Sequence, residues 1–530
     1  MQDASLQNYR DNRPHTGDSP VRRLFFWRWT EALLTAVQRF GPRVPTAAIA
    51  IGIVLILVAS VWISKGGYYA HPELERYLPH YLSNRPILQK IFDVNGVELS
   101  PEFYRPRPLS YLTDDLDVAF IAWSFRRGYP HFLSASYYVF WVLDCILLWF
   151  FFRKRLVLDR LTSGLVIAFW STAPVVFSGV DYFRSAKPGG VFFMLAAFVL
   201  FVESFWSKRK GSLIKAVIFD ALGAILLFCA CLYDEIPIAY TAAALVILCL
   251  QFVLDRKSAI SRALLPSLIT CIVVLGTFAC YDLVLHPKLV WMFSGAKVSM
   301  AYQADTMHDL LSHPAIFLAG AVSVFTDTLG SLMGRVPGTI GLVLFLLLIS
   351  VWQQFLPNGN VRASRLWRYL KRQQPLTLII AGTALMLICL YGMISRHPPI
   401  MWIDVRQTVY IFPLTAVLLI FLAATLARCI RKGYIRASKL QLLLLLLIVS
   451  NLVAFKTFST FDHSQDPGRG DERSPGFTKA LLYALKLQAR PDLLEKNHSS
   501  MSDFPDDVLN SRIYQALVAS KSRHNSPESK

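Results

Sequence analysis

Charged side chains are scarce in this chain of 530 residues, and acidic ones are scarcer than basic ones. Asp, Glu, Lys and Arg together make up 17% of the residues, whereas apolar residues make up 54% and the mean hydropathy is positive. Soluble globular domains do not have this composition, because about a quarter of their residues are charged. The sequence is therefore that of an integral membrane protein.

Motifs of several soluble enzyme classes are also missing. The chain has no phosphate-cradling glycine loop, no GxSxG elbow and no nucleotide fingerprint, which argues against a cytoplasmic enzyme that uses ATP or a nucleotide sugar. The eight cysteines lack the spacing of a zinc site or a disulfide framework, and the histidines lack an HExxH pattern. The pattern requires no cofactor, and it neither supports nor excludes a divalent metal.

Long apolar runs are abundant instead. A hydrocarbon core of about 30 Å requires roughly 20 apolar residues in a helix. We predict an all-α polytopic membrane protein with about eleven transmembrane helices, at residues 44–63, 132–152, 161–180, 189–206, 216–232, 237–254, 263–285, 339–355, 376–394, 408–427 and 440–455. Residues 315–333 are apolar too, but we interpret them as an interfacial or re-entrant segment, because a twelfth crossing would move the basic cluster at 362–372 outside.

The basic residues predict the orientation of these helices. If eleven spans alternate, the clusters at 153–155, 208–210, 362–372 and 431–439 fall on the same side as the N-terminal tail. Lys and Arg next to membrane helices stay on the cytoplasmic side, so the N-terminus is predicted inside and the C-terminus outside. The net charge of +19 then reflects this bias and attraction to the lipid bilayer, and it does not indicate nucleic-acid binding.

The predicted organisation has three parts. Residues 1–43 form a cytoplasmic tail, 44–456 a transmembrane domain, and 457–530 an extracytoplasmic tail with helical patterns at 477–496 and 508–520. Two outer loops, 64–130 and 286–338, are too long for simple turns, and long loops of this kind are often functional. Apolar residues at helical spacing in the first loop predict interfacial helices.

The first outer loop concentrates charge in the stretch EFYRPRPLSYLTDDLD. Arg105 and Arg107 carry forked donors that suit a phosphate. The loop also supplies candidate general bases, namely Asp93, Glu98, Glu102, Asp114, Asp115 and Asp117. The alternative is that the arginines contact lipid head groups while the acids form a solvated face.

Short outer turns elsewhere in the chain carry charge as well. Arg184 and Lys187 lie between the third and fourth predicted spans, Asp234 and Glu235 between the fifth and sixth, and Arg406 before the tenth. Charges at membrane depth are costly unless they face a cavity or each other. Together they predict an outer cavity with cationic and acidic walls, which suits a lipid-linked phosphate beside a hydroxyl that loses a proton.

These motifs resemble those of the integral-membrane glycosyltransferases of the GT-C type, in particular the protein O-mannosyltransferase-like members. The stretch YRPRPLSYLTDDLD is similar to the pattern after their first span, YFRSAKPGGVFFMLAAFVLF to the entry of their fourth, YDEIPIAY to the turn before their sixth, and DVRQTVYIFPLTAVLL to a late span. The likeness covers about the first 260 residues and one late span. It departs after the first span, where family members often have an acidic pair and this chain reads SKGGYYAHPELER.

The resemblance implies a GT-C-like fold and a transferase that takes a sugar from a polyprenyl-phosphate donor at the outer face of a bacterial inner membrane, with inversion. Arg105, Arg107, Arg184, Lys187 and Arg406 would bind the donor phosphate, and Asp234 and Glu235 would line the cavity. Asp93 and Asp115 are the first choices for the catalytic base, with Asp114 and Glu102 as further candidates.

Other functions remain open at this point. The acceptor is a glycan, a lipid or a protein, and the sequence does not choose among them. The alternative functions are a membrane transporter and a lipid-linked glycan flippase or polymerase. A transporter predicts inverted repeats and discontinuous helices, which the sequence does not show.

Overall fold

The computed structural model describes residues 72–97, 105–131, 135–173, 187–254, 259–298, 405–431, 437–462, 475–497 and 500–525, together with a few single positions elsewhere. These residues form helices and the turns between them, and the described ranges contain no strand. The prediction of an all-α protein is confirmed for this part of the chain.

Seventeen α-helices are numbered in chain order within the described ranges. They are α1 (Pro72–Tyr81), α2 (Ile87–Ile91), α3 (Val94–Val97), α4 (Pro108–Arg126), α5 (Ala135–Lys154), α6 (Arg160–Ser171), α7 (Lys187–Arg209), α8 (Leu213–Tyr233), α9 (Ile236–Leu254), α10 (Ala259–Cys280), α11 (His286–Ser294), α12 (Val405–Arg431), α13 (Ala437–Asp462), α14 (Pro475–Ala489), α15 (Pro491–Asn497), α16 (Asp506–Leu509) and α17 (Arg512–His524). A π-helical turn, Tyr281–Leu285, joins α10 to α11, and a 3₁₀ turn, Met501–Asp503, precedes α16.

Five helical segments in the described ranges are long and apolar enough to cross a membrane. They lie in α5, α7, α8 and α9 and in the continuous segment Ala263–Ser294. Shorter apolar segments lie in α12 and α13, at Thr415–Arg428 and Ala437–Leu452. The chain is thus a membrane protein. The predicted spans 339–355 and 376–394, most of 44–63 and the segment 315–333 lie outside the described residues.

The seventh predicted span ends differently from the expectation. The sequence predicts an outer loop from residue 286, but the helix continues through the π-helical turn to Ser294. Pro287 lies directly after the π-helical turn, at the second residue of α11. Trp291 and Met292 on this extension are more than half exposed.

The first loop and the C-terminal tail pack against each other. Helix α17 contacts α1 and α4, and α14 contacts α4, and we call the eight helices α1 to α4 and α14 to α17 the helical cap. Its core is a single cluster that includes Tyr77, Leu78, Tyr111, Ile121, Phe125, Leu481, Leu485, Ile513 and Leu517. The described parts of the first loop and of the tail therefore share one hydrophobic core.

Two helices from late in the chain, α12 and α13, form hydrogen bonds with α6, which comes early in the chain. Asp159 caps the N-terminus of α6 by accepting from the Thr162 backbone N–H at 2.9 Å, and Gln441 of α13 donates to the same carboxylate at 3.1 Å. Trp170 Nε1 of α6 donates to Thr415 Oγ1 of α12 at 2.9 Å. Polar groups at membrane depth require such internal partners, so these bonds fix α6, α12 and α13 together.

Truncation of Leu481 tests the docking of the tail. Leu481 is fully buried in the cap core, so Leu481→Ala should destabilise the cap by about 2–5 kcal/mol. Hydrogen exchange of α4 and α14 in the purified protein should show faster exchange in both helices. Lys479→Ala removes an exposed side chain from the same helix and is the matched control. Unchanged protection of α4 in the leucine variant would mean that the tail does not hold α4.

Candidate active site

An ion pair connects the cap to the membrane helices. Arg105 Nε lies 3.0 Å from Glu235 Oε1, in the turn between α8 and α9. The Arg105 side chain is largely buried. Two charges predicted from separate parts of the sequence thus meet at the cap end of the bundle.

The segment that carries the two arginines is held by Tyr111. The Tyr111 hydroxyl donates to the Arg105 carbonyl and accepts from the Arg105 N–H, both at 3.3 Å. The Arg107 guanidinium lies over the ring of this fully buried tyrosine, with its carbon 5.6 Å from the ring centroid. Pro108 then starts α4 in a favourable N-terminal position. Tyr111 and the start of α4 therefore fix the position of the backbone that carries both arginines.

Tyr233 is the centre of the site. It ends α8 and is buried, and its hydroxyl forms a 2.6 Å hydrogen bond with Thr113 Oγ1 of α4. The carboxyl groups of three aspartates, Asp114, Asp117 and Asp234, lie within electrostatic range of the phenol, and each of these residues is at most 2% exposed. Three buried acids thus surround one tyrosine at the junction of cap and bundle.

The start of α7 lies directly against this tyrosine. A Cβ added at Gly189 would come within 2.2 Å of the Tyr233 ring, and one at Gly190 would come within 3.2 Å of Asp234. Glycine at both positions allows the backbone of α7 to approach the site closely. Lys187, a predicted phosphate-binding residue, is the first residue of α7 and so begins the helix that contacts the site.

Asp117 joins α4 to the start of α5. Its two carboxylate oxygens accept from the Ser136 backbone N–H at 2.8 Å and from the Ser136 hydroxyl at 2.7 Å. Burial raises the pKa of the Asp117 carboxyl to about 7, and the charge of Asp114 acts in the same direction, while the bonds from Ser136 oppose the rise. Asp117 therefore changes its charge near neutral pH.

The two first choices for the catalytic base lie elsewhere in the cap. Asp93 pairs with Arg85 at 2.8 Å and lies 3.8 Å from His80, whereas Asp115 pairs with Lys90 at 3.1 Å. Both carboxylates are thus held by cations of the cap itself. Burial lowers the pKa of His80, which disfavours its charged form beside Asp93.

The remaining predicted residues are distributed as follows. Asp114 and Asp234 lie within electrostatic range of Tyr233, and Arg105 and Glu235 form an ion pair at the turn that follows this tyrosine. Arg107 lies two residues after Arg105 in the chain. Glu102 and Arg184 lie outside the described residues, and Arg406 is in the first turn of α12.

Tyr233 and Thr113 are site residues that the sequence analysis missed. A signal existed for both, because Tyr233 immediately precedes Asp234, and Thr113 and Asp117 are four residues apart and so share one face of α4. Asp282, in the π-helical turn, lies within electrostatic range of Glu235 and was also missed. π-helical turns often occur at functional sites.

The described residues contain no group of three His, Cys, Asp or Glu side chains arranged to hold a metal ion. No protein-family model matches the chain, and no curated protein and no solved structure is significantly similar to it. The class that the described structure defines is an all-helical membrane protein with a buried polar site beneath a helical cap.

Substitution of Gly189 tests the close approach of α7 to Tyr233. Gly189→Ala should lower stability by about 1–3 kcal/mol, because the added methyl group overlaps the tyrosine ring. Gly276→Ala, in α10, is the matched control, since a Cβ there meets nothing within 4 Å. Thermal unfolding of both variants in the same detergent measures the difference. Equal stability of the two variants would contradict the contact.

The pKa of Asp117 predicts a pH-dependent stability. A carboxyl with a pKa of about 7 when folded and an ordinary value of 3.8 binds its proton more tightly in the folded state. Its contribution to stability is therefore full below about pH 4 and is lost as the pH rises to about 7. Asparagine does not titrate, so the stability of Asp117→Asn lacks this pH-dependent loss. The stability of the variant relative to the native protein should therefore rise between pH 4 and 7 and stay constant above pH 7.

Melting temperatures from pH 4 to 9 measure this effect. Asp507→Asn changes an exposed carboxylate in the cap and is the control. A difference between Asp117→Asn and the native protein that does not vary with pH would show that Asp117 does not titrate in this range.

Proposed function

We propose that the protein transfers a sugar from a polyprenyl-phosphate donor to an acceptor hydroxyl at the cap side of the membrane, with inversion at C1 of the sugar. The observation that carries the proposal is that the Arg105–Glu235 ion pair lies at the turn that follows Tyr233, whose phenol has Asp114 within electrostatic range, where the cap meets the ends of membrane helices. A donor of this class has its phosphate at the membrane surface and its chain in the bilayer, so it would reach such a junction from the side.

The cap side is the proposed extracytoplasmic face, in a bacterial inner membrane. α5 starts next to the cap at Ser136 and ends at the basic residues Arg153–Arg155, and α7 starts next to the site and ends at Lys208–Lys210. Basic residues at the ends of spans mark the cytoplasmic side. The cap is at the other end of both helices.

The arginines at the start of α4 are the proposed binding partners of the donor phosphate. As the bond from C1 to the phosphate oxygen breaks, the leaving polyprenyl phosphate keeps the electron pair and gains negative charge. A fixed guanidinium stabilises this charge without reorganising. Arg105 and Arg107 are the proposed partners of the phosphate oxygens, and Arg184, Lys187 and Arg406 complete the cationic wall.

Asp114 is the proposed base that takes the proton from the acceptor hydroxyl. Asp114 lies within electrostatic range of Tyr233, whereas Asp93 and Asp115 lie elsewhere in the cap, beside Arg85 and Lys90. The acceptor oxygen forms the new bond to C1 and its proton passes to the Asp114 carboxylate. The acceptor would be a glycan, a lipid or a protein with an accessible hydroxyl.

The adjacent aspartates of α4 allow a matched test of the base. Asp114→Asn should lower the rate of sugar transfer by about 10²–10⁴-fold, because the acceptor hydroxyl loses its proton acceptor. Asp115→Asn makes the same chemical change one residue along the helix, at the ion pair with Lys90, and should keep most of the activity.

The assay follows release of polyprenyl phosphate from a panel of polyprenyl-phosphate sugars by protein in nanodiscs, with and without added acceptor. Rates are compared per folded protein. Acceptor-dependent release separates a transferase from a flippase, which moves the donor without cleaving it. Full activity of Asp114→Asn, or an equal loss in Asp115→Asn, would overturn the assignment of the base, and absence of release with every donor would overturn the proposed function.

A further inference from the structure

The α7–α8 turn, at the end of the bundle opposite the cap, has an excess of basic side chains. Asp220 of α8 accepts from Lys208 at 2.7 Å. Arg209, Lys210 and Lys215 have no carboxylate partner among the described residues, and all three are exposed. Three positive charges therefore remain without an acid on one short hairpin.

A second acid at this end is also occupied. Glu203 of α7 accepts from Lys154 at 2.8 Å and from Arg155 Nε at 2.7 Å, which ties the end of α5 to α7. The pairing draws the Arg155 guanidinium over Trp206, with its carbon 5.3 Å from the ring centroid. Glu203 is thus neutralised by α5 and does not pair with the cations of the turn.

Trp206 lies between these charges at the end of α7. The Arg209 guanidinium is also 5.3 Å from a Trp206 ring centroid and 6.0 Å from that of Phe205. Contact with an aromatic face holds a guanidinium in place while its N–H groups stay available. Tryptophan is enriched at the level of lipid head groups, where its ring is apolar and its N–H is polar.

Apolar side chains project beside the cations. Leu213 and Ile214 at the start of α8 are 68% and 78% exposed, and Val157 in the α5–α6 turn is 69% exposed. A cluster of exposed apolar residues next to a membrane helix indicates contact with lipid. The adjoining cations are then at the depth of the lipid phosphates.

We propose that Arg209, Lys210 and Lys215, beside Trp206, form a binding site for the phosphate head group of an anionic phospholipid. The charge excess supplies the attraction, and the Arg209 fork held over the indole supplies a bidentate partner for phosphate oxygens. Leu213 and Ile214 would contact the acyl chains of the same lipid. The site lies at the opposite end of α7 from Tyr233 and does not depend on the proposed sugar transfer.

Reconstitution in mixed lipids tests the site. Full-length protein is extracted from bilayers of phosphatidylcholine with a minor fraction of phosphatidylglycerol, and the retained lipids are counted by native mass spectrometry. The native protein should retain phosphatidylglycerol in excess of its fraction in the bilayer. Arg209→Gln should lower this enrichment about fivefold, and Arg209→Gln with Lys210→Gln should lower it further.

Lys439→Gln is the matched control, because Lys439 is an exposed cation at the start of α13, whose Gln441 contacts Asp159 at this same end of the bundle. Its enrichment should equal that of the native protein, and melting temperatures in pure phosphatidylcholine should be alike for all variants. Equal losses in Lys439→Gln and Arg209→Gln, or no enrichment in the native protein, would overturn the proposal. Loss of bound lipid on addition of millimolar inorganic phosphate would also overturn it in favour of a free-anion site.

Discussion

The ion pair between Arg105 and Glu235 sets the position of the cap on the membrane bundle. Both side chains are largely withdrawn from water, at 12% and 30% exposure. Withdrawing two charges from water costs several kcal/mol, and the pair offsets this cost only if its geometry is well fixed. Tyr111 supplies the fixation, because its hydroxyl binds the backbone of Arg105 on both sides. The main effect of the ion pair is thus to specify one arrangement of cap and bundle. Its net contribution to stability is small.

The buried acids around Tyr233 depend on that arrangement. Asp114 and Asp117 are close enough to interact, Asp234 lies within range of the same tyrosine, and like charges in a buried site repel one another. The hydrogen bonds from Ser136 at the start of α5 offset part of this repulsion at Asp117. Buried ionisable groups that lie close together mark a candidate functional site.

The sequence allowed prediction of the elements but of only part of the site. Spans follow from the length of apolar runs, because the bilayer thickness fixes the length of a helix that crosses it. The choice between Asp114 and Asp115 could not follow in this way. Adjacent residues on a helix point about 100° apart, so the acid that faces the bundle depends on the rotation of α4. That rotation is set by Tyr111 and by tertiary contacts with the tail.

The packing of the first loop against the tail could not be predicted from the sequence either, because it also depends on tertiary contacts. The helical patterns of the tail predicted its helices, and helices are present at both places. Their partner was not predicted, because an apolar helical face is satisfied by any complementary apolar surface. Leu481 and Leu517 gain their specificity only from the shape of the groove that α1 and α4 form.

Helix α5 links the two ends of the molecule. Asp117 of the cap holds its first turn, and Glu203 of α7 holds its last turn through Lys154 and Arg155. A helix fixed at both ends neither slides nor rotates without breaking one of these charged contacts. Because Asp117 is within range of Tyr233 and Glu203 is on the helix that passes Tyr233 at Gly189, the polar site is positioned from both sides of the membrane. Its geometry is therefore a property of the α4, α5 and α7 helices together, and the charges that hold α5 maintain that geometry from a distance.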